Sequence, residues 1–278
     1  MRRVAAYRAN KILYNFLRSN KISGEALLPV NVCHSVVATV QYAGLQVRFV
    51  DIIADTLYMD TVEALNHAKD ASLLIYVHTY GFEDVPQEFY KQAKVLNPNI
   101  YIVDDRCLCL PELSVDDSAA DLVVYSTGEK KQVDLGKGGI GFIAEDKQYE
   151  DVTVNDDELL TNDVWEIDEK ALLAKMDAVI RHKEKLNAIY RKNLPTNIQL
   201  PAPYQHWRFN ILVPNKDVVL KAIFNAGLFA SGHYVPQENN HMIATNLYNH
   251  VINLFNDFYY TEEQAQRTCE IINKLCKV

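Results

Sequence analysis

Ser126-Thr-Gly-Glu-Lys-Lys-Gln-Val-Asp-Leu-Gly-Lys-Gly-Gly139 is the stretch on which the reading of this chain turns. It follows an apolar run, Asp121-Leu-Val-Val-Tyr125, that reads as a buried strand, and it leads into a second, Ile140-Gly-Phe-Ile143. A strand that ends in a small hydroxyl, passes through two lysines and restarts after paired glycines can bring backbone and amine close to a ligand. Taken alone, Glu129-Lys130-Lys131 would be a solvated hairpin, since charged side chains are mostly exposed. The chain before it changes that reading.

From residue 26 to residue 125 short apolar runs alternate with helical patterns. Strands are expected at Ala26–Leu28, Val47–Val50, Ser72–Val77, Ile100–Val103 and Leu122–Tyr125, and helices at Ser35–Tyr42, Thr61–Ala68 and Pro86–Leu96. Apolar spacing at Ile12, Leu13, Phe16 and Leu17 predicts a further helix over residues 4–18. Continuous Val/Ile/Leu/Tyr strands are those covered on both faces, so the pattern is α/β, with a mostly parallel central sheet and helices on both sides. In such sheets ligands bind beyond the carboxyl ends of the strands. The polar groups falling there are Asn31 and His34, Asp51, His78 and Tyr80, Asp104 and Asp105, and Ser126 to Lys131.

The second half reads differently. Residues 141–164 are acidic and irregular, with Glu150, Asp151, Asp156, Asp157 and Glu158. A long helix is predicted over Asp168–Asn193, strands over Trp207–Val213 and His250–Phe255, and a helix over Val218–Ala226 closed by Gly227. Thr261-Glu-Glu-Gln264 is a capping box for a last helix. This part is α+β and smaller, which divides the chain into 1–165 and 166–278.

The 278 residues carry a net charge of −8, against the basic face that nucleic acid or an anionic membrane requires. No apolar stretch reaches the roughly 20 residues of a membrane span, and no apolar signal core follows Arg2 and Arg3, so a cytoplasmic protein is expected. Five cysteines without a secretory signal argue against a disulfide framework. Cys107-Leu-Cys109 has too short a spacer for a structural zinc site, so no metal is expected.

The spacing from Ser126 to Lys131 and on to Gly138-Gly139 resembles the PLP-dependent nucleotide-sugar aminotransferases of the DegT type. Further segments resemble that family in order: Leu28-Pro-Val-Asn-Val-Cys-His-Ser with Phe49-Val-Asp51, Val77-His-Thr-Tyr-Gly81, Ile102-Val-Asp-Asp105, and Ile252-Asn-Leu-Phe-Asn-Asp-Phe-Tyr-Tyr-Thr-Glu-Glu263. The resemblance implies the PLP-transferase fold type I, with 1–165 as the PLP-binding major domain. It implies pyridoxal 5'-phosphate as cofactor, a keto nucleotide sugar and a glutamate-like amino donor as substrates, and a homodimer. Lys131 would bond the cofactor's aldehyde, with Lys130 as rival one residue off register. Asp105 would meet the ring nitrogen, with Asp104 as alternative. Ser126 would bind the phosphate, and Arg8 could add a cation to it. Cys33 or His34 falls where the family packs an aromatic on the ring, and Tyr80 would line the pocket.

The chain also departs from that pattern. It is shorter, Tyr7 stands where the family's phosphate loop has glycine, and Leu108 where it has His or Gln. In place of an Asn/Arg stretch that reaches into the partner's site it offers Asn155 and Asn162. These departures keep a second reading open, a homologue that has lost its chemistry and serves as a dimeric binding or regulatory module.

Overall fold

The computed structural model of the chain describes residues 1–155 and 159–276; Asp156, Asp157 and Glu158 of the acidic segment lie outside them. The first 143 residues supply a seven-stranded sheet. Its strands are β1 (Arg2–Ala6), β2 (Glu25–Pro29), β3 (Gln46–Val50), β4 (Leu73–Val77), β5 (Tyr101–Asp105), β6 (Leu122–Ser126) and β7 (Gly139–Ile143), in the spatial order β1-β7-β6-β5-β4-β2-β3. Strands β2 to β6 pair in parallel, and β7 runs antiparallel to both β6 and β1.

Each parallel strand alternates its side chains between two apolar layers. Ile75, Val103 and Val124 pack with Ile12 and Phe16 of α1 (Ala9–Ser19) and Val40 of α2 (His34–Tyr42). Their neighbours Tyr76, Ile102 and Val123 pack with Ala64 of α3 (Thr61–Ala68) and Tyr90 of α4 (Gln87–Leu96). The sheet is thus covered on both faces, as the continuous apolar runs require.

The helix expected over residues 4–18 is two elements. Arg2–Ala6 is a strand, and only from Ala9 is the chain helical. The reason is tertiary: β7 leaves an unpaired edge, and Arg2 to Ala6 fill it in register with Ile143 to Gly139. A short run such as Val4-Ala-Ala carries no period strong enough to announce that pairing.

After the strap that follows β7, α5 (Glu169–Asn193) starts at Asp168, whose carboxylate accepts the Ala171 amide. Leu172 packs into the α3/α4 layer of the large sheet, while Leu186 and Tyr190 enter the core of a second sheet. That sheet is antiparallel, ordered β8 (Phe209–Leu212), β10 (Val251–Leu254), β9 (Ala230–Ser231). Around it lie α6 (Lys216–Asn225), α7 (Met242–His250) and α8 (Glu262–Leu275), the last with both halves of the Thr261–Gln264 capping box in place. No sequence signal pointed to α7. Its amides at Ile243 and Ala244 are capped by Asp51 at the exit of β3, 193 residues before Ala244. No described helix is long and apolar enough to cross a membrane.

Candidate active site

Strand alternation separates the two adjacent aspartates. Asp105 shares the face of Val103 and lines a cavity of about 200 Å³ beyond the strand ends; its Oδ1 accepts the Cys107 amide at 2.9 Å. Asp104 points to the opposite face and is fully buried. There it meets His78 Nε2 at 2.6 Å and the Arg106 guanidinium at 3.0 and 2.8 Å. Arg106 donates onward to Tyr125 and Glu112. Burial alone would raise the Asp104 carboxyl, but the hydrogen bonds and charges of His78 and Arg106 outweigh it and hold the group below its ordinary value. Asp104 and His78 are therefore structural, and Asp105 is the carboxylate presented to the cavity.

The two lysines are separated by a turn. β6 ends at Ser126, on the cavity face, and the loop bends back at Lys130, which takes a left-handed φ of +63°. The Lys130 amide donates to Asp134, its carbonyl accepts Trp207 Nε1 at 2.8 Å, and its side chain is exposed. Lys131 is half-buried and lines the cavity. The loop returns through Lys137, whose carbonyl accepts Thr127 Oγ1, and Gly138, whose amide donates to the Tyr7 carbonyl at 2.7 Å. A side chain at Gly139 would lie 2.5 Å from the Ala9 nitrogen and 2.9 Å from the Arg8 carbonyl carbon. The paired glycines are what let the start of β7 press against the start of α1.

That contact places Arg8, the N-cap residue of α1, on the cavity wall with Ser126, Lys131 and Lys137. Among the described residues none of the three cations makes a salt bridge or a side-chain hydrogen bond; the Lys137 ammonium lies 5.3 Å above the Tyr7 ring. In a chain of net charge −8, three such cations beside a helix N-terminus, with Glu129 and Asp105 as the cavity's carboxylates, make this wall suited to an anion.

The other wall follows from the sheet order, since β5 lies between β6 and the exits of β4 and β2. It carries Asn31, Cys33 and Thr79, joined by His233 and Tyr234 from the loop after β9. Asn31 Nδ2 and both ring nitrogens of His233 have no hydrogen-bond partner, although the residues are 4% and 8% exposed. Burial pushes the His233 imidazole down to about 4, against an opposing contribution from the Asn31 carbonyl. Burial also raises the Tyr234 hydroxyl, and the adjacent Cys33 adds to that shift.

Lys131, Asp105, Ser126, Cys33 and Arg8 thus meet around one cavity, and two expected residues do not. His34 is the exposed first residue of α2, turned away from it. Tyr80 is fully buried behind the wall, its ring 4.8 Å edge-on to His233. Asn162 does not reach outward either: its side chain holds both the amide and the carbonyl of Val154 and accepts Lys11 Nζ. Lys137, His233 and Tyr234 were not foreseen. Lys137 stood in plain view beside Gly138, but His233-Tyr234 sits in a loop that no strand-end rule singles out.

Neither the protein-family models nor the curated proteins compared with the sequence gave a match. Solved structures did. Spr1654 from Streptococcus pneumoniae, in a PMP form, superposes with a TM-score of 0.78 at 15% identity, over 99% of this chain and 88% of the other. A DegT DnrJ EryC1 StrS aminotransferase from Brucella abortus gives 0.74 at 15% identity, over 99% and 86%. The sugar aminotransferase CalS13 from Micromonospora echinospora gives 0.74 at 17% identity, over 98% and 87%. The chain has the fold of these aminotransferases, PLP-transferase fold type I, from end to end.

Proposed function

We propose that the protein is a PLP-dependent aminotransferase, transferring an amino group from a glutamate-like amino acid to a keto nucleotide sugar, as a homodimer in the cytoplasm. The observation that carries the reading is the sorting of the two adjacent pairs. Lys131 and Asp105 face one cavity with Ser126 and Arg8, while Lys130 and Asp104 are turned out of it. The donor set suits pyridoxal phosphate: an amine for the aldehyde, a carboxylate for the ring nitrogen, cations with a hydroxyl and a helix end for the phosphate, and orphaned polar atoms on the remaining wall. The sugar acceptor is supported by the structural neighbour CalS13, a sugar aminotransferase.

When bound, the cofactor would supply an electron sink for the electron pair left on the donor's α-carbon as its proton is lost. Lys131 Nζ would be the base that takes that proton, and Arg8 and Lys137 would neutralise the phosphate. Asp105 would hold the ring nitrogen and keep it protonated. The thiol of Cys107 beside it is raised by burial and by Asp105, despite the pull of Lys131, and stays protonated.

The test is direct. The protein purified with pyridoxal phosphate should show the visible absorption of a lysine-linked pyridoxal, and borohydride reduction followed by peptide mapping should find the label on Lys131. A label on Lys130 would overturn the register. Absence of the absorption would overturn the enzyme in favour of the dimeric binding module.

A further inference from the structure

Asn31 and His233 are the buried polar side chains of the cavity whose nitrogens lack a hydrogen-bond partner. A buried amide hydrogen pair or imidazole without a partner is rare in folded proteins, and on a cavity wall it marks where a ligand atom completes the bonding. Nothing in the proposed roles of Lys131, Asp105, Ser126 and Arg8 uses them. We propose that Asn31 and His233 together bind the phenolic oxygen of the pyridoxal ring. The inference rests on the reading of the site as a pyridoxal phosphate site.

The covalent structure of the cofactor supplies the argument. The ring nitrogen and the aldehyde carbon are opposite one another on the ring. The phosphate arm is attached next to the aldehyde on one side, and the phenolic oxygen next to it on the other. Asp105 and Lys131 define the axis from nitrogen to aldehyde. Arg8, Ser126 and Lys137 draw the phosphate arm to the side of β6, β7 and α1. The phenolic oxygen then faces the exits of β4 and β2, where Asn31 stands with His233 against it.

The chemistry of that wall suits an oxygen of partial negative charge. Asn31 offers an NH₂ group, and a neutral imidazole offers one N–H. His233 is neutral over the physiological range because burial disfavours its charged form. Leu108, which also lines the cavity, has no donor to give. Tyr80, packed edge-on against His233, fixes the imidazole plane from behind.

The experiment compares pyridoxal phosphate with 3-deoxypyridoxal phosphate, which lacks that oxygen, by titrating the lysine-linked absorption of the full chain. Asn31→Leu and His233→Phe should each reduce the preference for the phenolic cofactor by about tenfold, the cost of one hydrogen bond to a charged group. Affinity for the deoxy form should stay within about twofold of the unmodified protein. His233→Gln, which keeps an N–H donor, should restore much of the preference. Melting of the cofactor-free variants identifies any that fail to fold, and the near-isosteric Asn31→Leu keeps the test open if His233→Phe does. Equal weakening of both cofactors, or an unchanged preference, would overturn the inference while leaving the enzyme intact. No lysine-linked absorption with either cofactor would remove the enzyme reading, and this inference with it.

Discussion

Two aspartates side by side show how much a residue's role depends on which face of a strand it occupies. Asp104 neutralises a buried arginine and orients a buried histidine, so Asp104→Asn should cost about 3 kcal/mol, the penalty for stranding a buried charge. Asp105→Asn, beside a cavity open to water, should change denaturant stability little and lower cofactor affinity instead. Equal destabilisation by both would refute the division. Because the folded Asp104 carboxyl lies below its ordinary value, its stabilisation is complete above the usual carboxylate range and is lost as pH falls through and below that range. His233 adds a second acid dependence. Its folded value of about 4 lies below the ordinary 6.5, so its stabilisation is full above pH 6.5 and is lost as pH falls through 4. The difference amounts to about 3 kcal/mol for a group this deeply buried. His233→Gln should flatten stability across that window in urea titrations, and an unaltered slope would refute it. Asp105 and Lys131 are candidates in the sequence through a family resemblance, with Asp104 and Lys130 as rivals; strand alternation and the turn at Lys130 set which of each pair lines the cavity. His233 could not be read from the sequence, because chain folding alone brings it from a loop after β9 to a wall built by β2 and β4.

At the scale of elements, the site depends on one contact between the start of β7 and the start of α1. The apolar runs predict most strands and helices of the sheet to within a few residues, but this contact lies in residues 4–18, where helical spacing from Ile12 to Leu17 hides the pairing of Arg2–Ala6 with β7. Splitting that segment at Tyr7-Arg8 is what puts Arg8 on the cavity, and Gly139 makes the split possible. Gly139→Ala would push a methyl group onto backbone atoms of Arg8 and Ala9, which have no flexible end to yield. The expected cost is about 2 kcal/mol from overpacking. Displacement of the α1 start should also weaken phosphate binding. The affinity advantage of pyridoxal phosphate over unphosphorylated pyridoxal should therefore fall together with stability. A variant that loses stability but keeps the full phosphate preference would show that α1 is positioned by something other than the glycine.

Across the whole molecule, the second sheet completes the site from a distance, and it is attached to the first by an apolar cluster, in which Val30, Ile52 and Tyr80 meet Tyr204, Ala244 and Leu247, and by polar ties around it. Trp207 donates to the Lys130 carbonyl at 2.8 Å, directly behind Lys131; Tyr204 donates to the Thr56 carbonyl at 2.7 Å; and the Gln237 amide donates to the Val30 carbonyl at 2.9 Å. Asp51 is the most telling of these ties. The sequence marked it as a polar group at a strand end, in company with the site residues, yet it caps α7 instead of reaching the cavity. Strand-end position identifies candidates without saying which ones face the ligand, since that depends on what later chain packs against them. α7 in turn packs Ala244 and Leu247 into the cluster that holds Tyr80, the residue behind His233. Asp51→Ala should therefore act at two distances. It should cost about 1–2 kcal/mol, as for the loss of a helix cap, and speed hydrogen exchange at Ile243 and Ala244 while leaving the β5 amides protected. It should also loosen the Tyr80–His233 packing and reduce cofactor affinity, although Asp51 touches no part of the cavity. If exchange accelerates at α7 while cofactor affinity stays unchanged, the second sheet is merely attached to the site and does not support its wall.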